Sequence, residues 1–181
     1  MPLAMEDATT ANPVAIEVAV GEALVRQSSG RHRAQAAVGI SVAVPVRGVW
    51  GVAFEAVGTG VNERSAELSL DQYLLRPAAL ATATFARPIE PVVRKSRRGH
   101  MPGTSRYLAF DLGLGPAAIV TLASWDVPGL GALWVVEPGV RGRAALALGI
   151  GPHARIRLQG GFGWRPSGTD HDYLLGAAWA F

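Results

Sequence analysis

The last ten residues constrain the fold more than any other stretch of the chain. Tyr173, Leu175, Ala177, Trp179 and Phe181 share one parity, while Asp172, Leu174, Gly176, Ala178 and Ala180 share the other. A period of two puts these sets on opposite faces of a β-strand. One face is strongly apolar and carries aromatics at both ends; the other is mostly small. Rings placed at both ends of an apolar strand face suit a bilayer, where amphipathic aromatics sit at the two interfaces.

The same rule runs through the chain. Residues 1–12 are small and polar and read as a loose N-terminal extension, leaving 13–181 as a single β-domain. Within it Ile16, Val18, Val20 and Leu24 alternate with Glu17, Ala19, Gly21 and Ala23. Val38, Ile40, Val42 and Val44 alternate with Ala37, Gly39 and Ser41, and Trp50, Val52 and Phe54 with Gly51, Ala53 and Glu55. Leu68, Leu70 and Leu74 are set against Glu67, Ser69, Asp71 and Tyr73, and Leu108, Phe110, Leu112 and Leu114 against Ala109, Asp111 and Gly113. Trp134, Val136, Val140, Leu146 and Leu148 oppose Glu137, Gly139, Arg141, Arg143 and Ala145. Ile156, Leu158, Phe162 and Trp164 oppose Arg155, Arg157, Gln159, Gly161 and Gly163. Pro45-Val46-Arg47-Gly48, residues 58–62, 126–131 and 166–169 have turn composition.

In a soluble sandwich the second parity would be wet and rich in Lys, Thr and Glu. Here it is Gly and Ala with isolated charges, which fits the crowded interior of a narrow barrel. Hydrophobic residues make up 49% of the chain, yet no run approaches the roughly 18 uninterrupted apolar residues of a membrane helix. The expected fold is therefore all-β, an antiparallel up-and-down transmembrane barrel. Residues 64–86 read either as one long strand or as two joined at Arg76-Pro77, because a proline removes a ladder donor from a central strand. The two readings give eight or ten strands; the short chain favours eight.

Phe181, Trp179 and Gly176 also resemble the closing strand of bacterial outer-membrane β-barrels. That family's C-terminal assembly signal ends in an aromatic, with another two residues earlier and a glycine three before that. Leu174 stands where the family usually has a polar residue. The resemblance, to the small eight-stranded barrels similar to outer-membrane protein A, implies a bacterial outer-membrane location. It further implies outer-membrane lipids and the barrel-assembly machinery as partners, a monomer, and a structural or surface-interaction role through the outer loops. Residues 1–13 contain no basic segment followed by an apolar core, so a secretory signal is expected to precede Met1 and to have been removed.

The charges on the small parity avoid the bilayer interior. Facing lipid at mid-depth, each would cost roughly 2–4 kcal/mol, so Glu17, Glu55, Glu67, Asp71, Asp111 and Glu137 are expected inside or at the rim, with Arg141, Arg143, Arg155 and Arg157. Paired there, they would plug the lumen; a conducting or ligand-binding lumen is the alternative. Trp50, Phe54, Phe110, Trp134, Phe162 and Trp164 fall on the opposite parity and are expected to form the membrane-facing aromatic belt.

Other constellations point to less. His32 lies in a loop with Ser28 and Ser29 but without the acid spacing of a catalytic triad, so no catalytic residue is assigned. Asp170-His171-Asp172 has metal-binding residue types, yet reads as a hydrophilic loop, and no metal or cofactor is implied. Arg94-Lys95-Ser96-Arg97-Arg98 has no interleaved aromatics and the net charge is only +3, so no nucleic-acid partner is expected. With no cysteine, disulfides and thiolate metal sites are excluded. Three other readings remain open at this level. They are a soluble lipid- or ligand-binding β-barrel with the charged parity outside, a lipid-modifying barrel enzyme, and a small-solute channel.

Overall fold

Alternation of bulky and small residues produces eight long strands that close on themselves. In this computed structural model the described residues are 14–26, 32–64, 69–90, 95–96, 99–100, 106–125, 132–150 and 153–181. The strands are β1 (Ala15–Arg26), β2 (His32–Arg47), β3 (Trp50–Arg64), β4 (Ser69–Glu90), β5 (Lys95–Ser96), β6 (Gly99–His100), β7 (Arg106–Trp125), β8 (Leu133–Ile150), β9 (Ala154–Arg165) and β10 (Gly168–Ala180). β5 and β6 form a separate two-residue ribbon, and the other eight form a closed barrel in which every neighbouring pair is antiparallel. The closing seam pairs β1 with β10, from Ala15 opposite Ala180 to Leu24 opposite His171.

The stagger of the seams sets the barrel's width. Partners run from Val44 to Val52, Ala81, Leu114, Gly142, Phe162, His171 and Leu24, and then back to β2 at Ala34, ten residues from the start. Closure with such a stagger tilts the strands by roughly 35–45° and, for eight strands, leaves an interior that side chains can just fill.

Both termini lie at one end. The turn at Gly48–Val49, the strand ends at Glu90, Arg106 and Ile150 and the turn at His153 lie at that same end; the strand ends at Arg26, His32, Arg64, Ser69, Trp125 and Leu133 and the Pro166–Ser167 turn lie at the other. β2 runs three residues further than its turn composition indicates, through an irregularity between Pro45 and Arg47. Gly48, with φ 57°, takes the left-handed turn position.

The question of eight or ten strands resolves on β4, which passes through Arg76-Pro77 as one strand. On the β3 side residues 76 and 77 remain paired with Val57 and Ala56. On the β7 side no pairing joins 76–77 or 79–80 to β7, although the register on either side of these gaps is unchanged. Pro77 and Pro116 both fall in that seam, so the two missing N–H donors are concentrated in one place.

The radial polarity is inverted relative to a soluble protein. Val20 is 58% exposed and Leu158 59%, whereas Arg141 and Arg157 are each 1% exposed. A soluble barrel with an apolar pocket and a charged exterior is thereby contradicted: the apolar parity faces out and the charges face in.

Candidate functional site: an ion-paired lumen

Because β-strand side chains alternate, each strand sends every second residue into the lumen. β1 contributes Glu17, β3 Glu55, β4 Arg76, β7 Asp111, β8 Arg141 and Arg143, β9 Arg157, and β10 Asp170 and Asp172; all nine are buried. They form two connected groups. In the larger, Arg76 Nη1 donates to Asp170 Oδ2 at 2.9 Å and lies 3.7 Å from Asp172 Oδ2. Arg141 donates to Asp172 through Nη1 and Nη2 at 2.7 and 2.9 Å, a bidentate pair, and through Nε to Glu55. Arg143 Nη1 reaches the other Glu55 oxygen at 2.6 Å. In the smaller group Arg157 donates from Nη1 to Glu17 at 2.7 Å and places Nη2 3.2 Å from Asp111.

Glycine makes room for these side chains. A Cβ on Gly161 would lie 2.5 Å from both Arg141 Nη2 and Asp172 Oδ1, and one on Gly163 would collide with Asp170. A Cβ on Gly176 would lie 2.7 Å from Glu17 Oε1. The abundance of glycine on the inward parity thus has a packing cause. Two apolar clusters fill the remaining space: Ala19, Ala23, Ala37, Val57, Leu74, Ile119 and Leu174, and Ala53, Ala78 and Leu80. Beside Glu17, Ser41, Glu55 and Gln159 a cavity of about 10 Å³ is left, about one water's worth of space.

Several expected positions need correction. Asp71 shares the outward parity of Tyr73 and Leu75, and the leucine it was set against, Leu74, is buried in the lumen. Leucines at 74 and 75 occupy both parities, so hydrophobicity does not resolve the period there. Glu67 lies outside the described residues. Glu137 does face inward, but at the rim, where it accepts from Arg165 Nη1 at 3.0 Å and from Ser167 Oγ at 2.8 Å. Arg155 is inward and half-buried near the termini, with no ion pair among the described residues.

Arg143 and Arg157 find their partners beyond the neighbouring strands: Glu55 on β3 meets β8 across the lumen, and Arg157 skips a strand on either side to reach β1 and β7. In so narrow a barrel, an arginine is long enough to span the interior.

Arg76, Asp170 and Asp172 were missed as lumen residues. Asp170-His171-Asp172 belongs to β10, so strand alternation separates the aspartates from the histidine. Both aspartates point inward to arginines, while His171 lies against Phe162 on the outside with ring centroids 5.2 Å apart. Continuing the terminal period of two backward from Leu174 would have placed both aspartates.

Trp50, Phe54, Phe110, Trp134, Phe162 and Trp164 are all outward and exposed. Trp50 and Phe110 lie toward the termini, Phe162 and Trp164 toward the other end, Phe54 between, and Trp134 beyond the last β8–β9 pair, Val140 with Trp164. Trp179 stacks on His153 at 5.8 Å, and the Phe181 N–H donates to the Val14 carbonyl at 3.1 Å beside the closing seam.

Known structures share this architecture along nearly their whole length. Ail, the attachment invasion locus protein of Yersinia pestis, matches with a TM-score of 0.62 and 13% identity, over 94% of this chain and 99% of Ail. Neisserial surface protein A matches with a TM-score of 0.66 and 12% identity, over 93% of this chain and 97% of that one. No family model and no curated protein matches the chain in sequence. The fold is that of the small outer-membrane barrels: all-β, closed, eight-stranded, antiparallel and up-and-down.

Proposed function

We propose that the chain is a bacterial outer-membrane barrel that acts as a rigid, non-conducting scaffold. In this reading it presents the end opposite its termini at the cell surface and has no catalytic role. The inverted radial polarity carries the proposal: an apolar wall of this extent is stable against lipid and aggregates in water. Four arginines and five carboxylates interlocked in the lumen support a plug. The likeness to Neisserial surface protein A and to an attachment protein supports a surface-interaction role.

Outer-membrane lipids and the barrel-assembly machinery are the proposed partners, the latter reading Gly176, Trp179 and Phe181. Deleting Phe181 should reduce insertion in cells far more than refolding in detergent; equal loss in both would reduce the residue to packing. The main test is reconstitution. The folded protein should require detergent or lipid, migrate differently on a gel before and after boiling, and leave a planar bilayer without added conductance. Detergent-free monodispersity would overturn the membrane reading, and steady ion conductance would replace the plug with a channel.

A further inference from the structure

The two barrel ends differ in charge. The end opposite the termini mixes signs, with Arg33 and Arg165 beside Asp71 and Glu137, whereas the termini end exposes Arg47, Arg87 and Arg106. In sequence, the connection between Arg87 and Arg106 adds Arg94, Lys95, Arg97 and Arg98 against Glu90 alone.

Arg87 and Arg106 stand on adjacent strands and on the outward parity. Phe85 is directly opposite Phe110, and Arg87 is directly opposite Leu108. Arg106 is two residues along from Leu108, so it lies diagonal to Arg87 across an irregularity in the ladder between Pro88 and Glu90, within reach for long side chains. Above the two cations, Phe85, Leu108, Phe110 and Leu112 form an exposed apolar surface. Neither arginine makes an ion pair with a described residue, in contrast to the arginines of the lumen. Two guanidinium forks within reach of one point, below a wall that takes hydrocarbon, match a phosphate that carries acyl chains.

From this we infer that Arg87 and Arg106 form a binding site for the headgroup of an anionic phospholipid in the leaflet on the termini side, with the acyl chains lying on Phe85, Leu108 and Phe110. The site rests on the membrane reading of the fold.

The test uses the full chain in phosphatidylcholine vesicles containing a trace of spin-labelled phosphatidylglycerol or phosphatidylcholine, with the motionally restricted fraction as the readout. The barrel should select the phosphatidylglycerol by about fivefold per arginine, the factor that ~1 kcal/mol per basic residue at a membrane surface corresponds to. Arg87→Gln with Arg106→Gln should abolish the selection, and Arg33→Gln should leave it intact. Selection that survives the double variant, or that disappears equally in Arg33→Gln, overturns the site. Displacement of the labelled lipid by inorganic phosphate would also overturn it, since the pair would then bind phosphate without the lipid. Insertion without selection overturns this site alone; failure to insert, read by gel migration, overturns the membrane reading along with it.

Discussion

The lumen and the outer wall are made of alternate residues of the same strands, yet they depend on sequence in opposite ways. The wall is generic. Val, Leu, Ile and Phe succeed one another on it with few specific contacts, and any side chain that prefers hydrocarbon would serve. The lumen is specific: Arg141 and Arg157 each engage two acids from two strands, and glycines at 161 and 163 leave space for Arg141, Asp172 and Asp170. A buried polar network is tolerant only when fully paired, because an orphaned charge retains its desolvation cost. Changes that keep polarity should therefore be harmless on the wall and harmful inside.

The largest effect is expected at the centre of the network. Arg141→Ala leaves Asp172 only the longer contact with Arg76 and removes one of Glu55's two partners, and should lower stability by about 3–5 kcal/mol in urea titrations in detergent. Arg143→Ala should cost less, because Glu55 keeps Arg141. A loss below about 1 kcal/mol for Arg141→Ala would mean that the lumen is hydrated. On the wall, a charge is the damaging change: Leu158→Arg should cost roughly 2–4 kcal/mol in vesicles if its site lies near the bilayer midplane, and an unchanged midpoint would remove that residue from lipid.

Neighbouring glycines sharpen the contrast further. Gly161→Ala pushes a methyl against Arg141 and Asp172 and should cost roughly 1–3 kcal/mol. Gly160→Ala places its Cβ 3.7 Å from the Tyr173 ring, ordinary contact, and should be close to neutral; the reverse order of the two midpoints would contradict the assigned parity. The smallest effect belongs to the rim, where Arg165→Ala breaks the partly exposed pair with Glu137 and should cost about 1 kcal/mol or less, diminishing with salt.

The strands themselves were legible because most of them separate bulky from small residues cleanly, as Val18 and Val20 do against Ala19 and Gly21. β4 was not, since Leu74 and Leu75 populate both faces and Pro77 reads as a break; the strand passes through Pro77 because it stays paired with β3 there, which is a tertiary fact. Six of the nine buried charges, Glu17, Glu55, Asp111, Arg141, Arg143 and Arg157, follow from parity alone. Their partners do not. Pairing across a lumen depends on the stagger of all eight strands, and one-strand periodicity is silent on it. Asp170 and Asp172 were hidden by the histidine between them, which draws attention to a local motif where strand alternation governs.

The absence of cysteine allows the inverted polarity to be measured at single positions. A spin label on Leu158→Cys, in the middle of the outward face of β9, is compared in vesicles with one on Ser167→Cys, in the exposed turn between β9 and β10. The label at 158 should collide freely with oxygen dissolved in the bilayer and barely with a water-soluble nickel chelate, and the label at 167 should do the reverse. Equal access of the chelate to both positions in the folded, inserted barrel would contradict an outer wall that faces lipid.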